Sequence, residues 1–213
     1  SRFTVATLAS TALLEIAQVG AATYNGCAVA TDGRLYCWGQ VDCYKNGTTS
    51  NQLTPRLLGS GCWRQTTGGH RHTCAIDENG KLFCWGDNGL GALGIGVIGQ
   101  GEDDGAGCTD AYQEPQPVMP EVSWLSVVAS YLGTCAISEA HELYCWGYNE
   151  WLGASSTPGS VLVPTKVNED SDWAEAAPGQ FHTCAKKQNG DVYCMGGAGD
   201  VGPVSGPLAL VSF

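Results

Sequence analysis

No stretch of about 18 consecutive apolar residues occurs in the 213-residue chain, so it holds no candidate membrane-spanning helix. Charge is scarce as well. Only 15% of residues are charged, with Lys+Arg 10 against Asp+Glu 21 and a formal net charge of -11. A surface so poor in cations repels phosphate backbones, which argues against nucleic acid and anionic membrane as partners. The acidic excess itself has an ordinary role in solubility. C-x-x-C is absent, and so are G-x-S-x-G, H-E-x-x-H and any plausible triad order. Zinc-knuckle, hydrolase and metalloprotease readings therefore have no motif behind them, and the chain is expected not to be an enzyme. What is plentiful is glycine, at 30 residues, and tryptophan, at 7. That composition suits turn-rich β structure, in a chain long enough for one domain with a real core. The opening "SRFTVATLASTALLEIAQVGAA" sets Arg2 before an apolar run that Glu15 and Gln18 interrupt. The repeat described next claims part of it, so the chain reads as a mature form with any targeting signal already absent.

One hairpin occurs four times: "CAVATDGRLYCWG" from Cys27, "CAIDENGKLFCWG" from Cys74, "CAISEAHELYCWG" from Cys135 and "CAKKQNGDVYCMG" from Cys184. Eleven residues before the first cysteine stands Ile16, Trp63, Trp124 or Trp173, and five before it Ala22, Gly69, Ser130 or Gly179. Further upstream runs a proline-led apolar strand at Pro55, Pro117 or Pro164. A unit of roughly 50 residues with four short strand signals reads as one propeller blade. The division expected is a single all-β propeller domain over 1–213. Its repeats fall near 1–54, 55–116, 117–163 and 164–206, and 207–213 is a closing or extra strand.

Folding the second hairpin about Asn79 leaves a three-residue loop, Glu78-Asn79-Gly80, whose third residue wants a left-handed backbone. Gly33, Gly80 and Gly190 take that place, and His141 does so in the third repeat. Asp77 and Lys81 then form the hydrogen-bonded pair beside the loop. Alternation makes Cys74 and Cys84 a non-hydrogen-bonded pair, with Cα atoms about 4.5 Å apart, near the lower limit for a disulfide. The same count joins Cys27 to Cys37, Cys135 to Cys145 and Cys184 to Cys194. A zinc site would need closer ligand spacing and further ligands, and a redox centre would not be copied four times. The alternation also puts Cys74, Ile76, Leu82 and Cys84 on one face and Ala75, Phe83 and Trp85 on the other. Both faces are apolar, as in a sheet stacked between neighbouring blades. The fourth repeat departs at Lys186 and Met195, so its blade is expected to have one wetter face.

"WRQTTGGHRHTCAIDENGKLFCWGDNGLGALG" and "WLSVVASYLGTCAISEAHELYCWGYNEWLG" resemble the repeats of the regulator of chromosome condensation family. The resemblance extends over nearly the whole chain. It implies a β-propeller, usually of seven blades, on which function varies. This chain departs in having four repeats, cysteine pairs like those of secreted versions, and an acidic balance. Charge and cysteines speak against the nuclear founding member's action on a small GTPase and nucleosomes, whereas a bacterial relative of the fold that inhibits a secreted enzyme shows the scaffold binding protein. The tail "GPLALVSF" looks like the first strand of a fifth repeat, and "FTVATLAS" like the matching strand of the first. A closed four-bladed ring is the reading preferred here, over completion by other chains or membership of a longer array.

Eleven cysteines less four pairs leave Cys43, Cys62 and Cys108. Cys43 and Cys62 lie in and after the loop following the first blade and are expected to pair. Cys108 then remains for an intermolecular bridge or a free thiol. Stapled hairpins imply an oxidising compartment, hence a secreted or extracellular protein, and the sequon Asn46-Gly47-Thr48 agrees with a glycoprotein.

"GLGALG" from Gly89 matches a dinucleotide fingerprint, yet no helix pattern follows and the repeat accounts for its glycines. His72 and His182 precede Thr-Cys in their repeats and read as packed core residues, while His70 in "HRH" is free to be exposed. The insertion 97–117 carries Glu102, Asp103 and Asp104 as weak calcium candidates, against the simpler reading of a solvated acidic loop; no other cofactor is expected. "NEDSDW" at Asn168 is a fainter version of the same idea. Tyr44, Tyr112, Tyr148 and Trp151 lie in loops outside the hairpins, where aromatic rings stack on sugars, anchor protein partners, or simply pack between blades. The expected function is a non-catalytic extracellular protein-binding or assembly module, through a protein partner or self-association. A carbohydrate-binding lectin, with glycan sites on loops or between blades, is the alternative.

Overall fold

The computed structural model describes residues 14–39, 52–98, 111–148, 159–179, 182–196 and 209–210. Its regular structure is β throughout, in four antiparallel sheets of four strands. The first holds β1 (Ile16–Ala21), β2 (Asn25–Ala30), β3 (Leu35–Gly39) and β4 (Gln52–Leu57). The second holds β5 (Trp63–Gly68), β6 (His72–Asp77), β7 (Leu82–Asp87) and β8 (Ala111–Val118). The third holds β9 (Trp124–Ala129), β10 (Gly133–Ser138), β11 (Leu143–Tyr148) and β12 (Ser160–Lys166). The fourth holds β13 (Trp173–Pro178), β14 (His182–Lys187), β15 (Val192–Gly196) and β16 (Ala209–Leu210). Strands follow chain order within every sheet. Among the described residues no helix is long and apolar enough to cross a membrane.

The hairpin register follows from the turn. Gly80 stands at φ +76°, its N–H donates to Asp77 O at 3.1 Å, and Asp77 N–H donates to Lys81 O at 2.9 Å. Gly33 and Gly190 repeat the left-handed turn at +82° and +95°, and His141 adopts it at +59° despite its side chain. Cys74 therefore faces Cys84 and Ile76 faces Leu82. Disulfides join Cys27–Cys37, Cys74–Cys84, Cys135–Cys145 and Cys184–Cys194, with Cα separations of 4.0–4.1 Å.

The sheets run in a different phase from the sequence unit. The proline-led strand does not open a blade: β4, β8 and β12 close one, pairing with β3, β7 and β11. Likewise Ala209 and Leu210 of the tail pair with Cys194 and Tyr193, so they complete the fourth sheet as its outermost strand. The segment "FTVATLAS" lies outside the described residues.

Each sheet shows unlike faces to its two neighbours. Cys27, Val29, Leu35 and Cys37 of the first pack on Trp63, Ala75 and Trp85 of the second. Cys74, Ile76, Leu82 and Cys84 pack on Trp124, Ala136, Tyr144 and Trp146 of the third. Cys135, Ile137, Leu143 and Cys145 pack on Trp173, Ala185, Tyr193 and Met195 of the fourth. Every blade thus carries a cystine face and an aromatic face, which is why both sides of the hairpin are apolar. Full burial of one such aliphatic side chain contributes about 1.5–3 kcal/mol. The edge-on rings of Trp124 and Tyr144, 5.2 Å apart, and of Trp173 and Tyr193, 5.7 Å apart, add to it.

The inner strands β1, β5, β9 and β13 pack in that sequence. A bulge lies between Ile16 and Gln18, and another between Trp63 and Gln65. Such an extra residue re-aims the side chain that follows. Gln18 donates from Nε2 to Thr66 O at 2.9 Å and accepts at Oε1 from Thr66 N–H at 2.8 Å. Gln65 does the same to Val127, at 3.1 and 3.2 Å. The amide stands in for a strand across the gap between blades. No packing of comparable extent joins β13 back to β1 among the described residues, and Ile16 and Val19 of β1 are exposed. Closure of the four blades into a ring is therefore not shown among the described residues, and the architecture is that of a β-propeller or part of a larger one.

Candidate functional site

The inner strands β1, β5 and β9 each end in a short turn before the hairpin, and these three turns meet on one rim. They are Ala22–Tyr24, Gly69–Arg71 and Ser130–Leu132. Thr23 N–H donates to Gly69 O, and His70 N–H to Tyr131 O, both at 3.1 Å, so neighbouring turns are tied in register. The residues four and three before the first cysteine, Thr23-Tyr24, His70-Arg71 and Tyr131-Leu132, face this rim together. The His70 ring stacks between Tyr131, centroids 3.9 Å apart and 30° between planes, and Tyr24, 5.1 Å away. The Arg71 guanidinium lies over the Tyr24 ring at 5.6 Å, a cation–π placement. Beside the stack opens a cavity of about 250 Å³ between His70, Arg71, Asp87, Leu90, Tyr131 and Leu132. Burial of the His70 ring and the charge of Arg71 push its pKa below the ordinary histidine value, against an opposing pull from Asp87. The ring is neutral at pH 7.

Beneath the rim the packing is closed. His72 is buried, with Nε2 2.9 Å from Thr134 Oγ1. Thr134 Oγ1 donates to Ala92 O, and Trp146 Nε1 donates to the same carbonyl, each at 2.9 Å. Burial pushes the His72 pKa down to about 4. The glycine-rich loop makes this network, which explains its composition. A Cβ on Gly94, at φ +73°, would stand 2.5 Å from Trp146 Nε1. A second constraint ties glycine to histidine: a Cβ at Gly69 or Gly179 would strike the ring of His72 or His182. Repeats without that histidine, at Asn25 and Gly133, carry Ala22 and Ser130 at the corresponding place.

The expected sites fare differently. The four hairpin disulfides form. Cys62 does not pair with Cys43: it is a free, exposed thiol. Cys62 sits at the turn end of the first blade, where a Cβ on Gly33 would lie 3.3 Å from its Cα. Cys43, Tyr44, Asn46, Glu102, Asp103, Asp104, Cys108 and Trp151 lie outside the described residues. Tyr112 is not on a loop. It lies on β8 opposite Gly86 and packs, partly buried, on the core between the second and third blades. Tyr148 ends β11 opposite Ser160, partly buried, and its N–H donates to Leu132 O at 2.9 Å. Asn168 and Asp170 are engaged locally: Asp170 and Asp172 both pair with Lys187, at 2.8 and 2.9 Å.

The rim pairs a stacked aromatic triad with a guanidinium, the composition that dominates protein-binding hot spots. It offers no activated nucleophile. The Thr134 hydroxyl beside His72 is fully buried, and no group of three or more His, Cys, Asp or Glu side chains is placed to hold a metal among the described residues. Tyr24, Arg71 and Tyr131 were not singled out from the sequence. Their signal is positional, an aromatic or cationic residue three or four places before each first cysteine, with neither the residue type nor the exact place kept from repeat to repeat.

Comparison with known proteins agrees with this architecture. Residues 63–92 match the model of the Regulator of chromosome condensation (RCC1) repeat. Yeast RCC1 (Prp20), solved bound to Kap60, is 21% identical with a TM-score of 0.70, over 88% of this chain and 45% of that one. Human WBSCR16 is 16% identical with a TM-score of 0.75, over 92% of this chain and 52% of that one. The ectodomain of the Physcomitrella patens receptor kinase CR4 is 18% identical with a TM-score of 0.55, over 86% of this chain and 42% of that one. The chain spans about half the length of each of these three solved proteins. It carries a regulator of chromosome condensation repeat at residues 63–92, within a disulfide-stapled β-propeller fold.

Proposed function

We propose that the chain is an extracellular, non-catalytic protein-binding module and that the Tyr24–His70–Tyr131 rim is its binding surface. The observation that carries this reading is the aromatic stack itself. Three blades each contribute one ring, partly buried or exposed, with Arg71 on the first ring and a cavity alongside. Tyrosine and arginine in such a setting give large contact area at low entropic cost. Four disulfides, with the sequon at Asn46, support an oxidising and extracellular setting. Among the similar folds, yeast RCC1 was solved with a protein, Kap60, and the CR4 propeller belongs to a receptor ectodomain.

The test is a screen of immobilised wild-type chain against a displayed library of extracellular proteins and a glycan array. Any hit is then measured on Arg71→Ala and Tyr131→Ala. A protein ligand that weakens by about tenfold or more in both variants, with disulfides intact, supports the reading. Binding that ignores the rim, or that free sugar competes away, overturns it. Turnover of any substrate in a broad panel overturns the non-catalytic part.

A further inference from the structure

The hairpin turns lie at the opposite end of the blades from the rim, and one of them carries a chemistry independent of it. The residue that follows each left-handed position, Arg34, Lys81, Glu142 or Asp191, has its N–H satisfied by a side chain, but from two different places. In the first and fourth blades the middle loop residue supplies the acceptor. Asp32 Oδ1 takes the Arg34 N–H at 3.2 Å, and Asn189 Oδ1 takes the Asp191 N–H at 2.9 Å. In the second and third blades the residue before the loop does so. Asp77 Oδ1 takes the Lys81 N–H at 2.7 Å, and Ser138 Oγ takes the Glu142 N–H at 3.3 Å. Asp77 Oδ1 also accepts from the Asn79 N–H at 3.0 Å. The place that Asp32 and Asn189 fill is thus already taken in the second turn. The Asn79 amide is exposed and makes no hydrogen bond among the described residues. Asn-Gly occurs at three other described places, and each of them holds its amide. Asn25 lies in β2, its main chain paired with Gly39, and its Nδ2 donates to Thr73 Oγ1 at 3.5 Å. Asn88 is buried, donating to Val97 O at 2.6 Å and accepting from Leu93 N–H at 3.1 Å. Asn189 is clamped at both ends by Asp191, which receives its Nδ2–H on Oδ2 at 2.9 Å.

We propose that Asn79 is a site of spontaneous deamidation, the one among these four at which the folded chain leaves the reaction open. Glycine as the next residue puts no Cβ beside the attacking nitrogen. The Gly80 main-chain nitrogen bonds to Asn79 Cγ, and the side-chain amide leaves as ammonia, taking the proton from the Gly80 N–H. Water then opens the five-membered imide at either carbonyl, giving aspartate or a β-linked isoaspartate. Gly80 N–H must leave Asp77 O, 3.1 Å away, but Gly190 N–H is held by Lys187 O at 3.0 Å in the same manner. That cost is common to both turns, so the amide decides between them. The product matters to the blade interface. Gly80 O accepts from Trp124 N–H at 2.9 Å, and Lys81 Nζ donates to Val122 O at 3.3 Å, so this turn latches the second blade to the third. Isoaspartate lengthens the loop by a main-chain carbon within a hairpin whose register the cystine fixes. It also adds a carboxylate beside Asp77 and Glu78, where Glu139 Oε1 lies 3.7 Å from the place a Cβ on Gly80 would take.

Peptide mapping by mass spectrometry tests this directly. The unreduced chain is held for weeks at mildly alkaline pH, folded in one arm and in urea in the other, and the peptides bearing the four Asn-Gly pairs are compared. In the folded arm Asn79 is expected to convert about tenfold or more faster than Asn25, Asn88 and Asn189, which must first give up hydrogen bonds that Asn79 lacks. In urea the four are expected to convert at similar rates. Asp191→Ala frees the Asn189 amide and is expected to raise conversion there severalfold in the folded arm. The aged wild type is expected to unfold at a lower urea midpoint than Asn79→Gln held for the same time. A count of four hairpin disulfides in each variant confirms that it folds. Equal conversion at the four sites of the folded chain overturns the inference, as does an Asn79 that keeps its amide while the chain in urea loses it. A preference for Asn79 that survives in urea places the cause in the sequence and overturns the structural argument. An Asn189 indifferent to Asp191→Ala overturns the protection assigned to the held amide, and an unchanged midpoint overturns the effect on the interface.

Discussion

Acid should loosen this fold through one buried imidazole. His72 is buried where the second blade meets the third, and burial holds its pKa at about 4, against an ordinary value of 6.5. The folded state therefore prefers the neutral ring. Above pH 6.5 neither state binds the proton, and His72 adds no pH dependence. Between 6.5 and 4 the unfolded chain takes up a proton that the folded chain refuses, so stability falls as pH falls. Below 4 both states are protonated and the loss is complete. At about 1.4 kcal/mol for each pH unit, the window is worth roughly 3 kcal/mol. The perturbation is His72→Gln, whose amide nitrogen reaches the same neighbourhood as Nε2 and can donate to Thr134 Oγ1 without titrating. Urea unfolding of the unreduced protein at pH 7, 6, 5 and 4 gives the free energy for each form. His70 is held low in the same direction by burial and Arg71, and adds to the slope of both proteins equally. Asp32, Glu142, Asp170 and Glu175 are lowered by their cation partners, so their contribution is lost only as pH falls through those depressed values, again in both proteins. The wild type should thus lose about 3 kcal/mol more than His72→Gln between pH 7 and 4. Parallel curves, or a His72 resonance titrating near its ordinary value in the folded protein, would refute the reasoning.

Other perturbations follow from the same contacts. Replacing both Cys74 and Cys84 by alanine opens an 11-residue loop, and chain entropy sets the loss at about 3 kcal/mol, read from the denaturant midpoint. Gly179→Ala drives a Cβ into the His182 ring and should destabilise by about 1–3 kcal/mol, as overpacking does. Adding His182→Asn recreates the Ala22/Asn25 pairing of the first blade and should recover most of that; an unrecovered double variant would mean the glycine serves something else. Lys187 lies over Trp173 and Tyr193 at 5.2 and 5.6 Å while paired to Asp170 and Asp172, whose carboxylates raise its pKa. Lys187→Gln should lose about 1 kcal/mol in thermal unfolding at low salt and less at 1 M, since the acids are partly exposed.

Local order was open to reading and blade phase was not, for a physical reason. A hairpin is set by its own turn: once Gly80 takes the left-handed backbone, Cys74 must face Cys84, and nothing distant intervenes. The strand after "CWG" is different. Pro55, Pro117 and Pro164 sit equally well before the next hairpin or after the last, because a repeat has a period but no origin. Only pairing of β4 with β3 decides. Cys62 shows the limit of pairing cysteines by a shared loop, since its place at the turn end of the first blade depends on how the next blade packs. The rim was missed because its property is shared by position rather than by residue type. Tyr24, His70, Arg71 and Tyr131 look unrelated until three turns bring them to one place.

The coupling of Gly69 to His72 and of Gly179 to His182 shows how such a chain is specified. Where the histidine folds back over the turn, the turn loses its Cβ; where asparagine or glycine stands instead, alanine or serine is accommodated. These are two versions of one blade corner, and the chain alternates them: Ala22/Asn25, Gly69/His72, Ser130/Gly133, Gly179/His182. In the second blade the histidine reaches across to Thr134, so the version used in one blade is read by the next. The blades are therefore not interchangeable units despite a common hairpin. The same logic governs their ends. Lys186 and Ile16 depart from the repeat at exposed positions of the fourth and first blades, and Lys186 forms an ion pair with Glu175 there. Departures from the repeat thus coincide with loss of burial, as the buried Trp63, Trp124 and Trp173 against the exposed Ile16 show.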